Sequence, residues 1–339
     1  MERLLGEHLA AEIREQPAHW RRLAAGDAAQ RLARALVGDV VLVGSGSSLF
    51  VAQLGALALR RRGIDAQAVP ATEARLDNRA YRGRTLVAIS QSGRSTDLLE
   101  ALAFLEPRHT IALTNTPDSP LGARADVAID SAAGPEIAVP ATKSVSAMVL
   151  LLLWAASLVA RDGHRDAAML VAAADAVDAW FADGPSVEGV RRAAERIALR
   201  RSVVVLGSDY GLPIANETAL KLKEASYVHA EGFAAGEFRH GSVAMVDASC
   251  AVIGIVDDDA LAIVARPLRE VEASEALRYT IGGPTVDAIE RLGPSIATPF
   301  NTLGWLVTAQ SLALYAARAR HIDPDAPRGL TKALVNAQP

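Results

Sequence analysis

The sequence predicts an α/β protein of two tandem domains, each a parallel sheet flanked by helices in a Rossmann-like three-layer sandwich. Three observations predict it. Short β-branched runs alternate with segments of helical spacing along the 339 residues. That alternation occurs twice. Each occurrence closes with a long apolar helix of similar sequence.

The opening twenty residues read as a charged amphipathic helix and not as a signal peptide, so residues 1–35 are expected to form an N-terminal helical segment. The first domain is expected over 36–161. Residues 40–43, 85–89 and 110–113 have the continuous apolar character of buried parallel strands, with weaker candidates at 67–69 and 127–129. Helical spacing covers 50–61 and 96–105. A helical linker is expected over 162–196, broken at Asp183-Gly184-Pro185.

The second domain is expected over 197–320, with strands at 202–206, 251–256 and 277–281 and a helix over 213–227. The closing helices, 151–161 and 303–318, share a tryptophan, a Ser-Leu pair and a terminal Ala-Arg, which suggests a duplication. Residues 321–339 hold Pro324, Pro327 and Gly329 and read as an extended tail, either pinned over another part of the fold or left as a loose end.

Composition narrows the function classes. The formal net charge is -4, and no basic patch stands out, so a nucleic-acid partner is not expected. An anionic substrate would depend on local donors and not on the overall field. The longest apolar run, 145–160, is shorter than the roughly 20 residues that cross a bilayer, so no membrane partner is expected. With no targeting segment, the cytoplasm is the expected location. The one cysteine, Cys250, excludes an intramolecular disulfide and lies in the apolar stretch 246–256, where it reads as core.

Two segments have the chemistry of a phosphate site. The first strand runs into Gly44-Ser45-Gly46-Ser47-Ser48, and the strand 85–89 runs into Ser90-Gln91-Ser92-Gly93-Arg94-Ser95 and then a helix. Ligands of open α/β sheets bind beyond the carboxyl ends of strands. A helix N-terminus supplies free N–H groups, glycine admits close backbone approach, and serine hydroxyls add donors without bulk. The plainer alternative is that Ser95 is an N-cap and the rest is turn chemistry. A dinucleotide fingerprint fits poorly, because Leu49 stands at its third glycine position, and no GxxxxGK[ST] segment occurs.

The richest candidate for proton chemistry is 216–224, where Glu217, Lys221 and Glu224 are spaced i, i+4 and i+7 and share one helix face. Tyr227, His229, Glu231, Glu237 and His240 follow in a Gly/Ala-rich stretch read as a loop. Acid–base catalysis suits such a set, and an ordinary surface ion pair between Glu217 and Lys221 is the plainer alternative. His229 and His240 do not form a recognised metal motif, so no metal is expected, and no cofactor.

In their order, these segments resemble the SIS family of sugar isomerases, specifically the isomerase half of glucosamine-6-phosphate synthase and its relatives. The resemblance is carried by Gly46-Ser47-Ser48, Ser90-Gln91-Ser92-Gly93, the run from Ala133 to Val139 with Thr142-Lys143, the run from Ala219 to Glu224 and on to His240-Gly241, and Pro327-Arg328-Gly329-Leu330-Thr331-Lys332. Both domains would then be SIS domains. The resemblance implies that Ser48, Ser90, Gln91, Ser92 and Ser95 bind the substrate phosphate, with Ser95 replacing the usual threonine. It implies that Glu224 moves the proton between C1 and C2, with Glu217 and Lys221 as its helical partners. It implies that His240 opens the sugar ring from the neighbouring subunit, hence a homodimer. It implies that Lys332 contacts the open sugar, and that Val139, Ala141 and Thr331 line the sugar.

Two departures from the family pattern bear on the substrate. The sequence starts almost directly at the isomerase's leading helix, so glutamine is not expected to be its ammonia source. Ala141 stands where the family has serine in the sugar-site loop. The expected function is therefore an aminosugar-6-phosphate deaminase/isomerase that converts glucosamine 6-phosphate, or a related aminosugar phosphate, to fructose 6-phosphate and ammonia. An isomerase or deglycase on another 6-phosphosugar, and a non-catalytic phosphosugar sensor, are the alternatives.

Overall fold

The computed structural model describes residues 4–76, 78–160, 166–287 and 289–332. Residues 162–165 of the expected linker and 333–339 of the expected tail lie outside them. Two helices lead, α1 (Glu7–Ala25) and α2 (Ala28–Ala35). The first alternation is β1 (Val40–Gly44), α3 (Ser47–Arg60), β2 (Ala66–Pro70), α4 (Ala71–Leu76), β3 (Thr85–Ser90), α5 (Thr96–Phe104), β4 (His109–Thr114), β5 (Val127–Asp130) and α6 (Lys143–Val159). Helices α7 (Asp166–Ala182) and α8 (Gly184–Ala198) follow. The second alternation is β6 (Ser202–Gly207), α9 (Gly211–Ser226), β7 (Ala230–Ala234), α10 (Ala235–Phe238), β8 (Cys250–Ile255), α11 (Leu261–Glu270), β9 (Leu277–Ile281), β10 (Glu290–Leu292) and α12 (Asn301–Ala319).

The chain divides into two compact units. One holds Ala18–Glu136 and Lys143–Val171 with Thr331 and Lys332; the other holds Met1–Pro17, Ile137–Thr142 and Ala172–Leu330.

In the first of these units, β1 to β5 form a parallel sheet of order β2-β1-β3-β4-β5. One face of the sheet, Val41, Val43, Leu86, Ala88 and Ala112, packs on Ala71 and Ala74 of α4 and Leu98 and Ala101 of α5. On the other face, Leu42 meets Gly55 of α3 and Leu152 of α6 so closely that a Cβ on Gly55 would stand 2.8–2.9 Å from both side chains. A parallel sheet buried on both faces shows continuous rather than alternating hydrophobicity, which is why β1 reads VVLVG and is buried at every position. Helix α6 is apolar all round because it too is buried, from Lys143 to Ser157. Among the described residues no helix is long and apolar enough to cross a membrane.

In the other unit, the sheet runs β10-β9-β8-β6-β7, again all parallel. Taken from its β7 edge, this is the same path as β2-β1-β3-β4-β5. Val204, Leu206 and Val252 of the sheet pack with Phe238 of α10 and Val264, Ala265 and Leu268 of α11. Helix α9 lies against β6 and β7, with α12 packed on α9 and α8. The topology thus carries the duplication that the two closing helices suggest. The same local device starts each half. A Cβ on Gly44, the last residue of β1, would meet Ser48 at 2.7 Å, and one on Gly207, the last of β6, would meet Gly211 at 2.1 Å. Only glycine lets the next helix begin so close to the strand end.

The sequence reading differs from the structure in several elements, among them α4 and α11, which it does not contain. The segment after Tyr227, read as a loop, contains strand β7 and the short helix α10. Strand β10 was not foreseen. The longest apolar run, 145–160, is the buried helix α6, which starts at Lys143. The linker break is as read: α7 ends at Ala182, and α8 starts at Gly184 with Pro185 in its first turn, where a missing N–H costs nothing.

Candidate active site

In a sheet of order 2-1-3-4-5 the direction of strand addition reverses between the first and third strands, and a crevice opens there beyond their carboxyl ends. Both predicted phosphate segments stand at that point. β1 and β3 are paired neighbours, with Val43 opposite Ala88. Ser48 lies in the first turn of α3, Ser90 ends β3, and Gln91, Ser92 and Ser95 form the loop into α5.

The loop is shaped by Gly93, whose φ of +62° suits glycine and whose Cβ, if present, would stand 1.9 Å from Ser119 Oγ. Ser90 Oγ accepts from the Gly93 amide at 3.1 Å, and Ser92 Oγ accepts from the Arg94 amide at 3.3 Å. The Gln91 carbonyl accepts from the Asn115 amide at 3.1 Å and from Thr114 Oγ1 at 3.3 Å, which fastens the loop to the end of β4. Ser95 stands at the N-cap of α5 but makes no side-chain cap bond. Its hydroxyl is therefore not consumed by the helix it begins, and the first-turn amides of α5 have no intrahelical acceptors. Serine hydroxyls and the positive end of a helix thus stand together beyond β3, an arrangement whose chemistry suits an anion.

The second group of predicted residues sits on α9, which starts at the carboxyl end of β6. Glu217, Lys221 and Glu224 share one face, as their spacing predicts. Lys221 Nζ lies 2.5 Å from Glu224 Oε2 and 3.5 Å from Glu217 Oε1. The side chains of Lys221 and Glu217 are 1% exposed, whereas that of Glu224 is 23% exposed. This excludes the plain surface-pair reading. A cation sealed between two carboxylates is held by Coulomb attraction that water screens little, and removing it would leave a buried charge unmatched. Helix α9 ends at Tyr227, whose φ of +54° is left-handed. Close packing of β7 fixes the other side of the helix, since a Cβ on Gly232 would meet Asn216 Oδ1 at 2.3 Å.

His240 is exposed on the turn after α10, where its amide donates to the Glu237 carbonyl at 2.9 Å. His229 is also exposed and pairs with Glu231 at 3.6 Å. Among the described residues no group of three or more His, Cys, Asp and Glu could hold a metal ion. Cys250 is buried in β8, as its apolar stretch predicts.

Val139 and Ala141 lie in the loop before α6, and two polar residues hold that loop. Glu12 of α1 accepts from the Ile137 and Ala138 amides. Gln310 of α12 donates to the Thr142 carbonyl at 3.2 Å and accepts from Gln16 at 2.7 Å. At the tail, Lys332 Nζ donates to Glu136 Oε2 at 3.0 Å, and Thr331 is exposed. The sequence reading assigns no role to Glu12, Glu136 or Gln310, whose contacts with Ile137, Lys332 and Gln16 span 125, 196 and 294 residues of sequence and are announced by no local pattern.

A cavity of about 280 Å³ lies beyond β8 and β9. Its walls include Asp257, Asp258, Gly282, Asn301 and Trp305, and none of the predicted site residues. Two carboxylates make it a poor place for a phosphate.

Residues 37–158 and 196–292 match the description SIS domain. A glutamine–fructose-6-phosphate aminotransferase (isomerizing) of Sulfolobus acidocaldarius is 33% identical over 301 residues, covering 87% of this chain and 50% of that protein. The chain thus spans about half the length of the curated relatives it matches. The solved C-terminal domain of glucosamine-fructose-6-phosphate aminotransferase from Francisella tularensis superposes with a TM-score of 0.82 at 25% identity, covering 94% of this chain and 97% of that one. A glucosamine-6-phosphate deaminase from Thermotoga maritima superposes with a TM-score of 0.78 at 24% identity, covering 96% and 99%; at that identity the likeness is one of fold.

Proposed function

We propose, since this chain belongs to the SIS domain family, that it is a phosphosugar isomerase whose preferred reaction is deamination of glucosamine 6-phosphate to fructose 6-phosphate and ammonia. The observation that carries the reading is the Glu217–Lys221–Glu224 arrangement on α9: a partly exposed carboxylate backed by a buried cation.

His240, contributed by a second copy of the chain in a homodimer, moves the ring proton between O5 and O1 as the sugar opens. Glu224 takes the hydrogen from C2, giving an enolamine, and returns a proton to C1. The C2 imine that results takes up water and releases ammonia, leaving the ketose. One carboxylate serves both proton steps from one face of the sugar. Ser48, Ser90, Gln91, Ser92 and Ser95 take the phosphate, and binding energy from that remote group holds C1 and C2 in place. Lys332 contacts the open-chain oxygens, and Val139, Ala141 and Thr331 bound the sugar. No cofactor enters these steps.

Ala141 favours a second reading. With a methyl where the resembled family has serine, the pocket loses a hydrogen-bonding group, and a different 6-phosphosugar would meet no unpaired hydroxyl there. On a neutral aldose phosphate the same proton transfer ends at the ketose without ammonia. Assaying the purified protein on glucosamine 6-phosphate and on a panel of aldose and ketose 6-phosphates, with ammonia and ketose measured separately, tests the two together. Ammonia and ketose in equal amounts support deamination. Ketose formed only from a neutral sugar overturns deamination in favour of the second reading.

A further inference from the structure

We propose that Glu136 is the positioning residue for Lys332, fixing where the tail presents its ammonium; the inference rests on the proposed role of Lys332 as a substrate contact. The Glu136 side chain has 0% exposure, although it belongs to a loop. Its carboxylate is held at the start of α6: Oε1 accepts from the Ser144 amide at 3.1 Å, and Oε2 accepts from Ser144 Oγ at 2.8 Å. Oε2 also accepts from Lys332 Nζ at 3.0 Å, across 196 residues of sequence. A buried carboxylate needs charge-matched and hydrogen-bonded partners, and here both kinds are supplied.

The chemistry of lysine makes the contact consequential. Its charge rides on a flexible four-carbon stem, so without a fixed acceptor the ammonium samples many positions. The doubly anchored carboxylate gives Nζ a fixed acceptor, while the side chain keeps 26% of its surface exposed. The tail upstream is also seated. Asp323 accepts from the Gly6 amide at 3.0 Å, and Asp325 accepts from the His8 and Leu9 amides at 2.9 and 2.8 Å. The Arg328 amide donates to Tyr227 Oη at 2.6 Å, and its guanidinium lies 4.4 Å from the ring centre. Lys332, by contrast, is held within its own unit, and Glu136 is its mooring.

The test compares Glu136→Gln, Glu136→Asp and Lys332→Met in the full-length chain. Steady-state kinetics use glucosamine 6-phosphate, or the phosphosugar identified in the panel above. Tryptic cleavage after Arg328 and Lys332 is followed in the same samples. Glu136→Gln is expected to lower kcat about tenfold to a hundredfold with KM within about threefold, because it displaces a positioned group and leaves the phosphate cradle intact. Cleavage after Lys332 in Glu136→Gln is expected to quicken at least about tenfold, since protease sites open with local release. Glu136→Asp should recover part of both. If Glu136→Gln does not fold, Ser144→Ala keeps the charge, loosens the carboxylate and should move both readouts the same way by less. Wild-type kcat and wild-type cleavage in Glu136→Gln, alongside dead Lys332→Met, would overturn the inference and leave the role of Lys332 standing. Wild-type turnover by Lys332→Met would overturn that role instead, and the cleavage rates would still decide whether Glu136 seats the tail.

Discussion

Lys221 and Glu224 form a 2.5 Å ion pair in which the cation is buried and the carboxylate is presented at the surface of α9. Glu217 holds the other side of the same ammonium and is itself buried. One lysine thus serves two carboxylates with different tasks: Glu217 keeps the charge balanced inside, and Glu224 is left able to meet a ligand.

Removing the cation alone should be costly. Lys221→Met is expected to destabilise the fold by about 3–5 kcal/mol, the usual result of leaving a buried charge unmatched. Pairing it with Glu217→Gln should recover a large part, because the stranded carboxylate is then gone. Urea unfolding of both variants checks this. Equal losses in the single and double variants would contradict it.

The loop between β3 and α5 carries a steric prediction with an internal control. Gly93 and Gly63 both have left-handed φ, +62° and +79°. A Cβ on Gly93 would run into Ser119 Oγ, whereas one on Gly63 meets nothing within 4 Å. Gly63→Ala should cost only the backbone conformation, about 1–2 kcal/mol. Gly93→Ala should cost clearly more and should also weaken phosphosugar binding. Thermal unfolding with calorimetric titration of both variants separates the backbone from the steric contribution.

Ser95 makes no cap bond, so Ser95→Ala should cost less than the typical loss of about 1 kcal/mol on removing an N-cap side chain. Phosphosugar affinity should fall by about tenfold, the size of one charge-assisted hydrogen bond. Ser95→Thr keeps the hydroxyl and should keep the affinity. A stability loss in Ser95→Ala without an affinity loss would show the plain capping role.

The strands legible in the sequence are the central ones. β1, β3, β4, β6 and β8 lie inside their sheets, are largely buried and read as mostly apolar runs; β9, also internal, is legible despite Arg278. The weak or missed strands, β2, β5, β7 and β10, are the four edges. Glu231 and Gly232 in β7 and Glu290 in β10 break the apolar pattern, because an edge strand has only one neighbour to satisfy and one flank open to water. The candidate site divides the same way. The face shared by Glu217, Lys221 and Glu224 follows from local spacing, and the serine segments follow from strand-turn-helix order. The burial of Lys221 and the contact of Lys332 with Glu136 depend on the packing of distant segments, which no periodicity encodes.

Asp247 supplies a pH prediction. The Ser249 hydroxyl and amide, with Cys250 and Arg201 as lesser contributors, hold its carboxyl at a pKa of about 2. An unfolded aspartate titrates near about 3.9. The folded value is the lower one, so this contribution to stability is present above about pH 4 and is lost as the pH falls towards 2. Asp247→Asn should therefore lower Tm more at pH 6 than at pH 2.5. The same Tm difference at both values would contradict the assignment.

The most direct measurement of the central claim is deuterium exchange at C2 of glucosamine 6-phosphate, followed by NMR in D2O with wild-type protein and with Glu224→Gln. The account predicts loss of the C2 proton signal and deuterium at C1 of the ketose product with the wild type. It predicts no exchange above background with Glu224→Gln, which should still bind the phosphosugar within about tenfold of wild type. Exchange by Glu224→Gln at the wild-type rate would contradict it.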